Sequence, residues 1–377
     1  MSPKIAIIGA GLAGLVCARI LEQSGFQVTV FERESSSEAR SQGGTLDLHP
    51  LTGQEALRKA GLIKEFEKNV RYEGEGFTLA DRHGKVYVKV TSKGGDRPEI
   101  DRTVLRKLLL DSLKEGTIKW DRNLKAVNKN NKELVFEHGV ESGFDLIVGA
   151  DGAWSKVRPL LTTVKPFYSG VSGVELRHND VDRQNPKISE MVGSGSFFSF
   201  GDEKQQCILS QRNGDGSIRT YAFERLPVEW IDDYGSEACK SAKEDTIARF
   251  KDWSPELLEL LKTASDDAIP RALFMLPVGL TWPHDKSITL IGDSASLMTP
   301  FAGEGANIAM ADGMKLAESI ITNSDNLDKA IAEYEDWMFA FSKKAANKTW
   351  ESLQDRFREG GNLKFANYIN ERISARG

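Results

Sequence analysis

The chain has 377 residues, 40% of them hydrophobic and 28% charged, with a formal net charge of −5. That balance suits a globular protein of about two domains and leaves no basic footprint for nucleic acid or for anionic lipid. Three scattered cysteines (Cys17, Cys207, Cys239) and five histidines without an HExxH pattern argue against a disulfide framework and against zinc, so no metal is assigned.

The first element lies in the apolar run "IAIIGAGLAGLVCARIL", which begins at residue 5. It is too short and too interrupted by glycine for a membrane span of about 20 residues. Lys4 is the only basic residue before it, so a signal peptide is not indicated and a cytoplasmic location is expected. "KIAIIGA" is continuously apolar and β-branched, as in a parallel strand buried on both faces. Gly9, Gly11 and Gly14 then spell G-x-G-x-x-G, and "LVCARILEQSG" continues as a helix closed by Gly25. "FQVTVFER" is the second strand and carries Glu32 at its end, at the spacing of a dinucleotide fingerprint. In that fingerprint Gly9 permits the tight turn, Gly11 lets backbone approach a pyrophosphate, and Gly14 lets helix and strand pack closely. The helix N-terminus offers N–H groups to phosphate, and Glu32 can accept bonds from a ribose. NAD(P) and FAD both remain open at this point.

"FDLIVGADGAWSKVR" (144–158) is a further buried strand, ending in Asp151-Gly152 and running toward Arg158. From about 163 to 268 the pattern changes to short alternating runs, "GSFFSFGD", "QQCILSQ" and "SIRTYAFERL", which read as antiparallel strands with "NGDG" as a hairpin turn. Side chains alternate along a strand, so Arg219, Tyr221 and Phe223 share one face, as do Phe198 and Phe200 on another strand. Such a face offers an aromatic lining with one cation, suited to a flat, polar-edged ring. The strand "SITLIGD" next delivers Asp293 to the stretch "LIGDSASLMTPFAGEG". Its Gly-Asp-Ser-Ala-Ser is one residue short of a hydrolase nucleophile elbow, because Ser296 stands where the elbow needs glycine. Pro300 fixes φ in the loop that follows, and "GEGANIAMADGMKLAESII" is a helix with small residues in its first turns. The last segment, after about residue 323, is helical with apolar residues at i, i+3 and i+4.

With "GAGLAG", "GADGAWSKVR" and "IGDSASLMTPFAGEGAN" in this order, the chain resembles the group A flavin monooxygenases over residues 4–160 and 270–320. "EARSQGGTLDLHPLTGQEALRKAGL" and "RPEIDRTVLRKLLLDSL" are similar to the tetracycline-inactivating members. The resemblance implies an α/β fold: a Rossmann-like FAD-binding domain (1–70, 96–162 and 269–322), an inserted antiparallel-sheet substrate domain (71–95 and 163–268), and a C-terminal helical segment (323–377). It implies that Asp293 binds the FAD ribityl chain, which makes Ser294 a helix-entry or loop residue rather than a nucleophile. Arg102 would reach the phosphate–ribityl region, Glu32 the adenosine ribose and Arg33 the adenine. Gly43, Gly44 and Asp47 would edge the isoalloxazine. Gly303, Gly305 and Ala306, following Pro300, would bring N–H groups and the positive end of a helix to the pyrimidine edge, where reduced flavin carries negative charge. Asp151 serves FAD and, by proposal, the nicotinamide, acting indirectly through Arg158.

The activity implied is a monooxygenation. NADPH or NADH visits transiently, since only one GxGxxG is present, and molecular oxygen forms a flavin C4a-hydroperoxide that hydroxylates a planar, polycyclic phenolic or enolic substrate, with tetracycline among the candidates. A monomer is expected, and no catalytic acid or base is assigned. The positions of a substrate-binding glutamine and histidine in the tetracycline enzymes fall near Gly173 and Arg219, so those two anchors are absent here. An NAD(P)-dependent dehydrogenase and a non-enzymatic binder built on the same fold are the alternatives.

Overall fold

The computed structural model describes residues 3–39, 43–92, 94–235 and 239–374. Among them, a parallel five-stranded sheet runs in the order Ile288–Leu290, Leu146–Gly149, Lys4–Ile8, Gln27–Phe31 and Ile118–Lys119. Residues 5–8 and Leu146–Gly149 in its middle are apolar and buried because both faces are covered. The helices Leu12–Gln23 and Gly305–Thr322 pack against each other. They approach so closely that a Cβ at Gly313 would stand 2.2 Å from the Ala13 carbonyl oxygen. This packing brings the beginning and the last third of the chain together, as the resemblance requires. A small three-stranded sheet, Leu124–Asn128, Glu133–Phe136 and Gly139–Glu141, was not foreseen as a separate element.

The second large sheet has seven strands, in the order Ile269–Met275, Phe167–His178, Ile218–Arg225, Gln206–Arg212, Ser196–Gly201, Phe77–Asp81 and Val86–Val90. Its pairings are antiparallel except for the parallel pair Phe77–Asp81 with Ser196–Gly201. Asn213 and Gly216 turn the hairpin between the strands at 206–212 and 218–225, where Gly216 has φ +80°. The strand Ile269–Met275 pairs with Phe167–His178 and forms one edge of the sheet.

The two faces of this sheet are buried differently. Ile208, Ile218 and Ala222 pack on the helices Lys240–Arg249 and Pro255–Lys262. Leu79, Phe200, Cys207 and Phe223 face Leu353, Phe357 and, in part, Phe301. The 30-residue helix Leu327–Arg356 touches both sheets. Early in it, Tyr334 Oη donates to the Leu290 carbonyl (2.9 Å), and the buried Glu335 accepts from Trp282 Nε1 and Thr289 Oγ1 (2.9 Å each). Near its end, Gln354 accepts from Arg225 Nη2 (3.2 Å). No helix among the described residues is long and apolar enough to cross a membrane.

Candidate cofactor and substrate site

The glycine loop is shaped by backbone contacts. Gly9 has φ +110°, and a Cβ there would lie 2.3 Å from the Ala150 carbonyl oxygen. At Gly14 a Cβ would lie 2.3 Å from the Gly9 carbonyl oxygen. Both positions are therefore closed to any side chain. Gly11 is the opposite case: it caps the helix Leu12–Gln23 without a side-chain bond, and no described atom lies within 4 Å of its missing Cβ. An uncapped helix start facing open space is a cradle for phosphate.

Glu32 is buried beside this loop, where its Oε2 accepts from the Ala10 N–H (2.7 Å) and its Oε1 from the Glu34 N–H (3.1 Å). Arg33 projects outward and is exposed. Arg106, which the sequence reading missed, is buried here; its Nε donates to the Ala10 carbonyl (3.1 Å), and its Nη2 pairs with Glu34 at 3.0 Å. The available signal was its i+4 spacing from Arg102 on one helix face.

Asp151 acts on its own loop. Its Oδ2 accepts from the N–H groups of Lys156 (2.6 Å) and Val157 (3.4 Å), and burial pushes its carboxyl up from the ordinary range. Arg158, buried as well, donates to the carbonyls of Ala153 (2.8 Å) and Ser294 (3.1 Å). The Asp-Gly loop is thus tied to the Gly-Asp loop through Arg158. Ser294 is fully buried with its hydroxyl directed at the carbonyls of Ile291 and Gly149, which excludes an accessible nucleophile.

Asp293 has the opposite environment. Its side chain is solvent-accessible, yet it lies deep enough that burial pushes its carboxyl up, with the Arg102 charge pulling the other way. Beneath it, the Gly292 N–H donates to the buried Asp312 (2.9 Å), whose carboxyl is pushed up to about 8 by burial and, to a lesser extent, by Asp293. Pro300 opens a single helical turn, Pro300–Ala302, and is exposed; Gly303 follows with φ +66°, placing its missing Cβ 3.7 Å from Asp47 Oδ1. The helix then starts at Gly305, with Ala306 half-buried behind it.

Asn307 is a second residue that the sequence reading missed. It is buried, accepts from the N–H groups of His49 (2.8 Å) and Gly53 (3.3 Å), and donates to the Asp47 carbonyl (2.9 Å). It fastens the 47–53 segment to the Gly305 helix. Across the strand from Asp47, the buried Glu99 accepts from Thr45 Oγ1 (2.6 Å). Burial first, and the Asp47 charge second, push Glu99 up to about 8.

The loop at 43–47 also touches the large sheet. The missing Cβ of Gly44 is 3.3 Å from Arg219 Cδ and 3.7 Å from Tyr221 Oη, and that of Gly43 is 3.7 Å from Arg102 Cδ. Tyr221 and Phe223 stack with centroids 5.8 Å apart, and Phe223 meets Phe301 edge-on at 6.4 Å. Burial, then the Glu175 charge, push the Tyr221 phenol up to about 12. Arg219 forms an ion pair with Glu175, and the second oxygen of Glu175 takes Arg271 through Nη2 (2.8 Å) and Nε (3.1 Å). Neither Glu175 nor Arg271 was anticipated. At Gly173 a Cβ would lie 1.9 Å from the Ala222 carbonyl oxygen, so no side chain fits there.

A fingerprint loop with an open cradle, an acid at the end of the second strand and a Gly-Asp loop tied to the Asp-Gly loop through Arg158 fit a site for a dinucleotide cofactor. Residues 3–345 match the FAD binding domain family, and the chain belongs to that family, the group A flavin monooxygenases. The chain is 32% identical to the monooxygenase asqM of Emericella nidulans, covering 96% of this chain and 97% of that one. Among solved structures, Klebsiella pneumoniae HpxO complexed with FAD and uric acid has a TM-score of 0.78 at 20% identity, covering 98% of this chain and 94% of HpxO. Tetracycline destructase Tet(55) has a TM-score of 0.74 at 18% identity, covering 98% and 94%. At these identities the two structures speak for the fold. The enzyme class is FAD-dependent monooxygenase.

Proposed function

We propose that this protein is an NAD(P)H-consuming monooxygenase that hydroxylates a planar, polycyclic phenolic or enolic compound, working as a cytoplasmic monomer. FAD, reduced by NADPH or NADH and reoxidised by molecular oxygen, supplies the oxygen-transfer chemistry. Gly9, Gly11 and Gly14 with the helix start would seat its pyrophosphate, Glu32 and Arg33 its adenosine end, and Arg102 and Asp293 its ribityl region. Gly44 and Asp47 would edge its ring, together with Pro300, Gly303, Gly305 and Ala306. Asp151 would contribute by holding the loop that Arg158 ties to Ser294. Arg219, Tyr221 and Phe223 would line the substrate seat, excluding water from the reacting face.

The observation that carries this reading is the approach of Gly44 to Arg219 and Tyr221, which sets the flavin-edge loop against the aromatic face of the sheet. Tetracycline is expected to be a poor substrate, because Gly173 leaves no room for an anchoring side chain. The test follows NADPH oxidation and the gain of one oxygen atom by mass spectrometry, for tetracycline and for simpler polyketide phenols, in wild type and Arg219→Ala. Well-coupled hydroxylation of tetracycline that is indifferent to Arg219→Ala would overturn the placement of the pocket.

A further inference from the structure

The face of the large sheet that meets the 43–47 loop is polar at one end and apolar at the other. Register places Arg271 opposite Gly173 on the edge strand, with Glu175 two residues on, and Glu175 opposite Tyr221 on the next strand inward. Leu209 lies opposite Tyr221 one strand further, and Phe198 opposite Leu209 one strand beyond that. Paired residues of neighbouring strands share a face, so a ring lying across them would have a charged end and an apolar end.

At the charged end one carboxylate serves two guanidinium groups. The neighbouring Asp215 is taken by Arg177, so within the cluster two guanidinium groups share one carboxylate and a positive charge is left in excess. The Arg219 and Glu175 side chains are 9% and 8% exposed, and buried charges of this kind persist when they are paired. Arg271, bound to the same Glu175, keeps 45% of its side chain exposed. The uncompensated charge is therefore presented by Arg271, beside a Tyr221 phenol that stays protonated and can donate.

We infer that Arg271, held by Glu175, is a specificity-determining residue that selects ring substrates bearing an anionic group at one end, a carboxylate or an acidic enolate, and orients their apolar body toward Leu209 and Phe198. The inference rests on the monooxygenase reading in taking this sheet face as the substrate's seat. Glu175 positions both arginines: Arg219 lines the seat while paired with it, and the more exposed Arg271 meets the anionic group.

The test uses the full chain as purified with flavin, and a change in flavin fluorescence reports ligand binding without turnover. Titration with 1-hydroxy-2-naphthoate and with neutral 1-naphthol measures the preference for an anionic edge. The naphthoate is expected to bind about tenfold tighter or more, as a charge-assisted hydrogen bond warrants. In Arg271→Met the preference should fall to near unity while 1-naphthol binding and melting temperature stay unchanged; in Arg271→Lys part of the preference should return. Equal binding of the two probes in wild type, no naphthoate response at all, or a preference that survives Arg271→Met would overturn the inference. A protein that purifies without flavin would instead overturn the monooxygenase reading, so the two failures are distinguishable.

Discussion

The nucleotide-binding half and the large sheet treat buried carboxyls in opposite ways. In the first, Asp312 has the Gly292 N–H as its partner, and Glu99 stands opposite Asp47 with a threonine hydroxyl. In the second, Glu175 lies between two arginines. The nucleotide-binding half holds two acids kept neutral, a backbone-shaped cradle, and one compensated pair at Arg106 and Glu34, while the large sheet holds one carboxylate shared by two arginines. The cradle itself is main chain, with the Glu32 carboxyl beside it turned onto the Ala10 and Glu34 N–H groups, whereas a cluster of two guanidinium groups on one carboxylate is equipped to discriminate among ligands.

The largest effect that would break this comparison is a pH dependence. Asp312 and Glu99 are both pushed up to about 8 in the fold, far above an unfolded carboxyl near 4. A raised carboxyl binds its proton more tightly when folded, so its stabilisation is complete below the unfolded value and is lost as pH rises toward 8. Asp312→Asn keeps an acceptor for the Gly292 N–H and removes the titration. In urea unfolding from pH 5 to pH 9 the wild type should lose stability relative to this variant, by an amount on the order of several kcal/mol. Parallel curves for the two proteins would show that Asp312 is not held neutral.

The next effect separates two glycines of one loop. Gly9→Ala must relieve a 2.3 Å contact at positive φ and should cost about 3 kcal/mol in denaturation, with flavin lost as a consequence. Gly11→Ala meets no described atom, so stability should change by less than about 0.5 kcal/mol while flavin affinity drops. If Gly11→Ala unfolds the protein as readily as Gly9→Ala does, the open cradle is misassigned.

Smaller consequences sharpen the assignment at the Gly-Asp motif. Asp293→Ala should weaken FAD binding by about tenfold, measured by equilibrium titration of apoprotein, since one hydrogen-bond acceptor is removed. Undiminished affinity would remove Asp293 from the site. Ser294→Ala deletes a buried hydroxyl bonded to carbonyls and should cost about 1 kcal/mol of stability while turnover persists. Abolished turnover in a folded Ser294→Ala protein would reopen the elbow reading.

Much of the nucleotide-binding half was legible from the residues alone, because its requirements are local. A turn at φ +110° against a neighbouring carbonyl admits only glycine, and a strand covered on both faces must be apolar throughout. Gly9, Gly14 and the parallel strands follow from such rules, as does the hairpin at Asn213–Gly216. The side-chain partners were not legible. Asn307 bonds across 258 positions to His49, Arg106 reaches back across 96 to Ala10, and Arg271 meets Glu175 across another 96. Each of these residues reads locally as an ordinary polar position. Alternation placed Arg219, Tyr221 and Phe223 on one face, but the occupant of the neighbouring strand decided that Arg219 faces Glu175. Main-chain geometry is dictated by near neighbours and is written in them; the pairing of charges depends on which distant strands the topology sets side by side, and the tertiary structure alone decides that.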